Sequence, residues 1–243
     1  MRLPRILLLN VLGLAILFSW LQTVFPMWPK LDNAVFFGFN ATYTPAHPIW
    51  DTLMAALNTR YYDVISFLLM LLVLFLSMRG DPRADRVAHW FSIGVMMVVT
   101  AVVMALFNHK IVNHFYAHPS PTYVFRAAGV PYNHLTHLVS FSTKDMASSS
   151  FPGDHGMMLM IFAAFVLRFS TRRWKVIAVL MVVLLSAPRI MVGAHWFMDV
   201  WMGSLSTALI ILPWWLMTPL GPTCVEKLEQ ILVRFRLFAP RAS

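Results

Sequence analysis

Three stretches of this chain carry no Asp, Glu, Lys or Arg: Ile6–Pro29 over 24 residues, Val87–His109 over 23 and Val200–Val225 over 26. A helix rises 1.5 Å per residue, so about 20 apolar residues cross a hydrocarbon layer about 30 Å thick. Three shorter apolar runs, Tyr61–Met78, His155–Phe169 and Val176–Gly193, reach that length if Tyr61 and Tyr62 sit at an interface and Arg79 or Arg168 snorkels. The pattern predicts an all-α polytopic membrane protein, one integral membrane domain over 1–243. Its six transmembrane helices are expected over about 6–25, 61–78, 89–107, 155–169, 176–193 and 195–217. Charged residues make up only 12% of the chain, against about 25% in soluble domains, too few to cover a water-facing surface. One cysteine, Cys224, rules out a disulfide scaffold. The first run lacks a small-residue cleavage site and is long for a signal peptide, which predicts an uncleaved anchor.

A net charge of +9 invites a nucleic-acid reading. The basic residues, however, are dispersed between apolar runs instead of gathered on one face, so no nucleic-acid partner is expected. They work better as topology signals. Thirteen of the 19 Lys and Arg fall on one side: Arg2 and Arg5, Arg79 to Arg86, Arg168 to Lys175, and the tail from Lys227 to Arg241. The positive-inside rule makes that side cytoplasmic and places both termini there. The long segments 26–60 and 108–154 then face outward, which in a Gram-negative cell is the periplasm. In the first, Pro48 opens an expected short helix with Ile49, Leu53 and Leu57 on one stripe, suited to lying at the membrane surface. The tail after Pro222 reads as a surface helix attracted to anionic lipid.

The second outer segment concentrates chemistry. It holds five histidines (His109, His114, His118, His134 and His137) with Lys110, Arg126 and Lys144. Their intervals do not form a usual zinc set, and Cys224 lies on the other side, so no metal is expected. Ser150-Phe-Pro-Gly153-Asp154-His155 then runs straight into the fourth span. Residues such as Gly153 and Asp154 before a helix leave backbone N–H groups facing an anion, and Asp154 is an expected N-cap. Across the next outer turn stand Arg189, His195 and Asp199. Four residues apart, His195 and Asp199 are expected on one helix face. A carboxylate there accepts from one ring nitrogen and leaves the other free as a nucleophile. Arg189 brings paired donors for phosphate oxygens. Ionisable groups this close to the bilayer are costly, so function is their default explanation.

Pro152-Gly153-Asp154-His155 and Arg189-x5-His195-x3-Asp199, separated by one span, resemble the second and third signature blocks of the type 2 phosphatidic acid phosphatase superfamily. Residues 150–158 and 188–197, with Thr143-Lys144-Asp145 and Ser120-Pro121-Thr122, resemble more narrowly its inner-membrane phosphotransferases acting between undecaprenyl diphosphate and lipid A. The resemblance implies a metal-free, cofactor-free enzyme with its site at the periplasmic ends of the helices. It implies that His195 attacks phosphorus and becomes a phosphohistidine, that Asp199 orients it, and that His155 protonates the departing oxygen. Arg189 and nearby cations would hold the phosphoryl oxygens. The implied products are lipid A 1-diphosphate and undecaprenyl phosphate; no protein partner is implied.

The chain departs from the superfamily in two places. Gly153-Asp154 stands where a serine hydroxyl usually precedes the glycine, so Asp154 must turn away, cap the helix or pair with a cation such as Lys144. Lys110 is followed by His118-Pro119 where the superfamily has Arg-Pro; His118, Arg126 and Lys144 are the candidates for the lost cation. The nearest rival function is a lipid phosphate phosphatase with water as acceptor. A transporter would show polar residues buried at mid-span, and these spans read as apolar at their centres.

Overall fold

The computed structural model describes residues 3–20, 25–82, 86–108, 110, 118–224 and 227. The described elements are α1 (Leu3–Trp20), α2 (Met27–Asn40), α3 (Pro48–Ala56), α4 (Arg60–Arg79), α5 (Arg86–Phe107), α6 (Pro121–Ala127), α7 (Leu135–Leu138), α8 (Asp154–Phe169), α9 (Arg172–Met191) and α10 (Leu205–Met217). A π-helical turn, Asp199–Ser204, leads directly into α10. His109 and His114, the basic residues Arg2 and Arg83, and the expected tail helix beyond 227 lie outside the described residues.

Among the described residues, five helices are long and apolar enough to cross a membrane: Leu3–Trp20, Arg60–Arg79, His89–Phe107, Arg172–Met191 and Asp199–Met217. The sixth expected span, α8, has 16 residues, about 24 Å of helix. Its faces explain its place. Leu159, Ile161, Phe162, Phe165 and Val166 are all buried, and a helix apolar on every side must be enclosed. It packs against α5, α9 and α10. The surrounding helices bury one stripe and expose the other: Leu8, Val11, Phe18, Leu68, Val98 and Leu184 are all exposed. Apolar faces of that extent on several helices are lipid-facing, and the chain is a multi-pass membrane protein.

α1 runs along α10, and a proline sets their contact. Pro213 lies inside α10 and has no N–H to give the Leu209 carbonyl one turn back. Asn10 of α1 fills the gap: its Nδ2 donates to the Leu209 and Ile210 carbonyls at 3.1 and 2.9 Å. Its Oδ1 accepts from Trp214 Nε1 at 2.6 Å. Asn10→Leu should therefore weaken the fold by about 1 kcal/mol, measured by unfolding in mixed detergent micelles.

The segment 26–60, expected as a connection with one short helix, holds two. α2 begins before Pro29 and was hidden by its prolines, yet Pro29 falls in the first turn, where a missing N–H breaks no bond. α3 starts at Pro48 as its pattern predicts; Ile49 and Leu53 are exposed while Met54 and Ala55 are buried. The long connection after α5 is pinned over the helix ends by side-chain amides. Asn40 and Asn133 exchange three hydrogen bonds at 2.8–3.0 Å. Buried Asn58 donates to the Pro188 carbonyl at 3.1 Å and gives its own carbonyl to the Lys144 N–H at 2.8 Å. These ties place Lys144 beside the outgoing end of α9.

Candidate active site

A cavity of about 690 Å³ opens among the start of α4, the start of α8, the end of α9 and the connection 144–151. His155, His195, Arg189, Lys144, Gly153 and Asp154 all line it. Two turns bring them in. Gly153 adopts φ 79° and starts α8, aiming His155 inward from the first turn. After α9, Gly193 adopts φ 81°, and a Cβ there would stand 2.5 Å from Phe36 Cε2, so only glycine fits. The chain reverses and delivers His195, whose N–H donates to the Arg189 carbonyl at 3.1 Å.

His195 Nδ1 stands 2.9 Å from the Ser150 carbonyl. A carbonyl only accepts, so Nδ1 carries the hydrogen and the neutral ring's lone pair lies on Nε2. The expected direct bond to Asp199 is replaced: the helix begins at Phe197, so His195 precedes it, and the Asp199 Oδ2 is 3.8 Å from His195 Nδ1. Asp199 is fully buried. Its Oδ1 accepts from His118 Nδ1 at 3.0 Å and its Oδ2 from the Trp196 N–H at 2.9 Å.

Asp154 is the first residue of α8, with Gly153 in the capping position, and its carboxylate accepts from Asn108 Nδ2. It does not pair with Lys144. His118 sits behind the cavity, edge-on to Trp20 with ring centroids 5.3 Å apart, its Nδ1 committed to Asp199. Lys110 and Arg126 are exposed and do not line the cavity. Among the described residues no group of three or more His, Cys, Asp or Glu side chains is placed to hold a metal.

Sequence reasoning missed Asp63. In the first turn of α4, it accepts from Lys144 Nζ at 2.6 Å and from Arg189, and its Oδ1 lies 3.8 Å from His155 Nδ1. One carboxylate thus holds both cavity cations and faces one of the two imidazoles. The signal was a carboxylate inside a predicted span, where ionisable residues are rare without a task. The arrangement presents a lone pair, a second imidazole and two cations in one recess. Those are the parts of in-line phosphoryl transfer.

A second carboxylate lies behind the site. Asp32 of α2 is buried and its Oδ1 accepts from the Met198 N–H at 3.0 Å. Burial pushes its pKa up to about 7, with nearby Asp199 acting the same way. The folded state therefore favours neutral Asp32. Its contribution is fully present below the ordinary carboxylate range and is lost as pH rises through about 7. Asp32→Asn keeps the acceptor and removes the ionisation. Thermal unfolding should show a gain in Tm that grows from about pH 4 to pH 7 and then levels off.

Residues 89–220 match the family model of the PAP2 superfamily. The chain is 36% identical over 234 residues to the lipid A 1-diphosphate synthase of Escherichia coli (strain K12), an alignment covering 95% of this chain and 94% of that protein. No solved structure matches it.

Proposed function

The chain belongs to the PAP2 superfamily and is an enzyme of lipid phosphate transfer or hydrolysis; from that premise we propose that it moves the terminal phosphoryl group of undecaprenyl diphosphate to the 1-phosphate of lipid A. The observation that carries the chemistry is His195, held by the Ser150 carbonyl with Nε2 unprotonated, in one cavity with Arg189, Lys144 and His155. The choice of substrates rests on the likeness to the synthase across nearly the whole chain.

In this reading Arg189 and Lys144 take the donor's terminal phosphate. His195 Nε2 attacks phosphorus, a P–N bond forms, and the bond to the bridging oxygen breaks. His155 supplies a proton to the departing undecaprenyl phosphate. The positive imidazole of the intermediate is stabilised by Asp199 at 3.8 Å. His155, now neutral, takes the proton of the acceptor phosphate as its oxygen attacks phosphorus and frees His195. Tails of both lipids stay in the bilayer while phosphates meet at the helix ends. The cavity end of the bundle then faces the periplasm across the inner membrane, with six spans, α8 included, and both termini in the cytoplasm.

The test supplies undecaprenyl diphosphate labelled in its terminal phosphate, with and without lipid A. Label should pass to lipid A as a 1-diphosphate. Release of label only as inorganic phosphate under both conditions makes water the acceptor and overturns the transferase reading.

A further inference from the structure

In a double displacement two membrane lipids reach the same histidine in turn, and the catalytic cavity has a neighbour on either side. Toward α1, Phe151 lines both that cavity and a groove of about 680 Å³ formed by Val11, Leu14, Leu17, Phe18 and Trp20. Among the described residues this groove offers nothing charged. Toward α4, Lys144 lines both the catalytic cavity and a larger recess of about 1010 Å³. Here Leu57, Ile65 and Phe141 make an apolar floor, while Arg60, Thr59 and Ser142 bring a cation and hydroxyls.

Resting on the transferase reading, we propose that the α4-side recess is the seat of the acceptor, an acylated glycolipid carrying more than one phosphate, with Arg60 and Lys144 as its anion contacts. Arg60 is exposed, and among the described residues no carboxylate pairs with it within 4.0 Å. It stands in the first turn of α4, where a cation opposes the helix dipole. Neither the helix dipole nor a carboxylate among the described residues accounts for it, which leaves its charge available to a ligand anion. The Thr59 hydroxyl is spent on capping α4, so the Ser142 hydroxyl is the one that suits a sugar oxygen, and the apolar floor suits acyl chains. The α1 groove, apolar throughout, suits a donor whose single chain has no polar group beyond its diphosphate. Lys144 joins the two chambers and brings the acceptor phosphate to the rim where the phosphohistidine would stand.

The experiment uses the full chain in nanodiscs and measures binding of hexaacylated lipid A without donor, beside steady-state transfer. Arg60→Ala should weaken lipid A binding about tenfold and raise its KM to match, Arg60→Glu should weaken it further, and Arg60→Lys should restore it to within about threefold. The KM for undecaprenyl diphosphate should stay within about twofold. Dephosphorylated lipid A should bind wild type and Arg60→Ala alike. Wild-type affinity for lipid A in both Arg60→Ala and Arg60→Glu overturns the proposal, as does equal displacement of lipid A by phosphatidylglycerol. If wild type transfers nothing to lipid A but Arg60→Ala still loses lipid A binding, the recess stands and the transferase reading falls.

Discussion

His195→Ala will lose phosphoryl transfer by about 10⁴–10⁶-fold, and the protein will no longer take up label from terminal-labelled undecaprenyl diphosphate. The reason is electronic. The Ser150 carbonyl at 2.9 Å commits the Nδ1 hydrogen of His195, and the lone pair left on Nε2 opens on the cavity that holds Arg189 and Lys144. His155, the other imidazole lining the cavity, has Nδ1 3.8 Å from Asp63 and an Nε2 that is buried. It is poorly placed to substitute as nucleophile. The His195 ring is a surface of the recess, not a core element, so its removal should leave the helical fold intact by circular dichroism. Wild type should show protein-bound phosphate that is stable to base and labile to acid, as a phosphoramidate is. Full labelling of His195→Ala would falsify the assignment of the nucleophile.

The second large effect is expected at Arg189. Its side chain is 8% exposed and paired with Asp63, and its carbonyl accepts from the N–H groups of Ala194 and His195 at 3.0 and 3.1 Å. In the proposed mechanism the residue contributes a phosphate clamp through its guanidinium and, through its backbone, a support for His195. Arg189→Ala removes only the first. Loss of one preorganised donor group at a developing charge costs about 10²–10³-fold, and that should appear in kcat/KM. Arg189→Lys should recover only part, because an ammonium cannot make the paired contacts of a planar fork. Adding Asp63→Asn to Arg189→Ala should cost less than the two single losses combined, since the residues share one ion pair.

How much of this was legible in the sequence depended on how far each signal travels along the chain. The apolar runs fixed the helical class, because hydrogen bonding in lipid leaves the backbone few alternatives. α2 was obscured because Pro26 and Pro29 read as breakers, and only the register of the helix start reveals that Pro29 does no harm. Arg189, His195 and Asp199 could be picked out because they share one short stretch. Their detailed geometry could not, since the partner of His195 is a backbone carbonyl 45 residues away, and backbone atoms leave no mark on composition. Asp63 was missed for the related reason that its partner Arg189 is 126 residues distant. His118 was one of three candidates, with Arg126 and Lys144, for the place of a phosphate-binding arginine; the structure sets its Nδ1 against Asp199, a contact 81 residues distant that the sequence does not display. Nor are the spans wholly apolar: Asn10 completes a helix that Pro213 interrupts, a pairing visible only once the two ends of the chain lie together.

Asp63, clamped between Lys144 and Arg189, gives the recess its own resident anion, and an incoming phosphate must compete with it. Free inorganic phosphate in solution would have to evict that carboxylate by its own affinity alone. A phosphate tethered to the bilayer arrives at a far higher effective concentration and does not leave after each failed encounter. The built-in competitor thus acts as a threshold that favours membrane-anchored phosphates over the soluble pool.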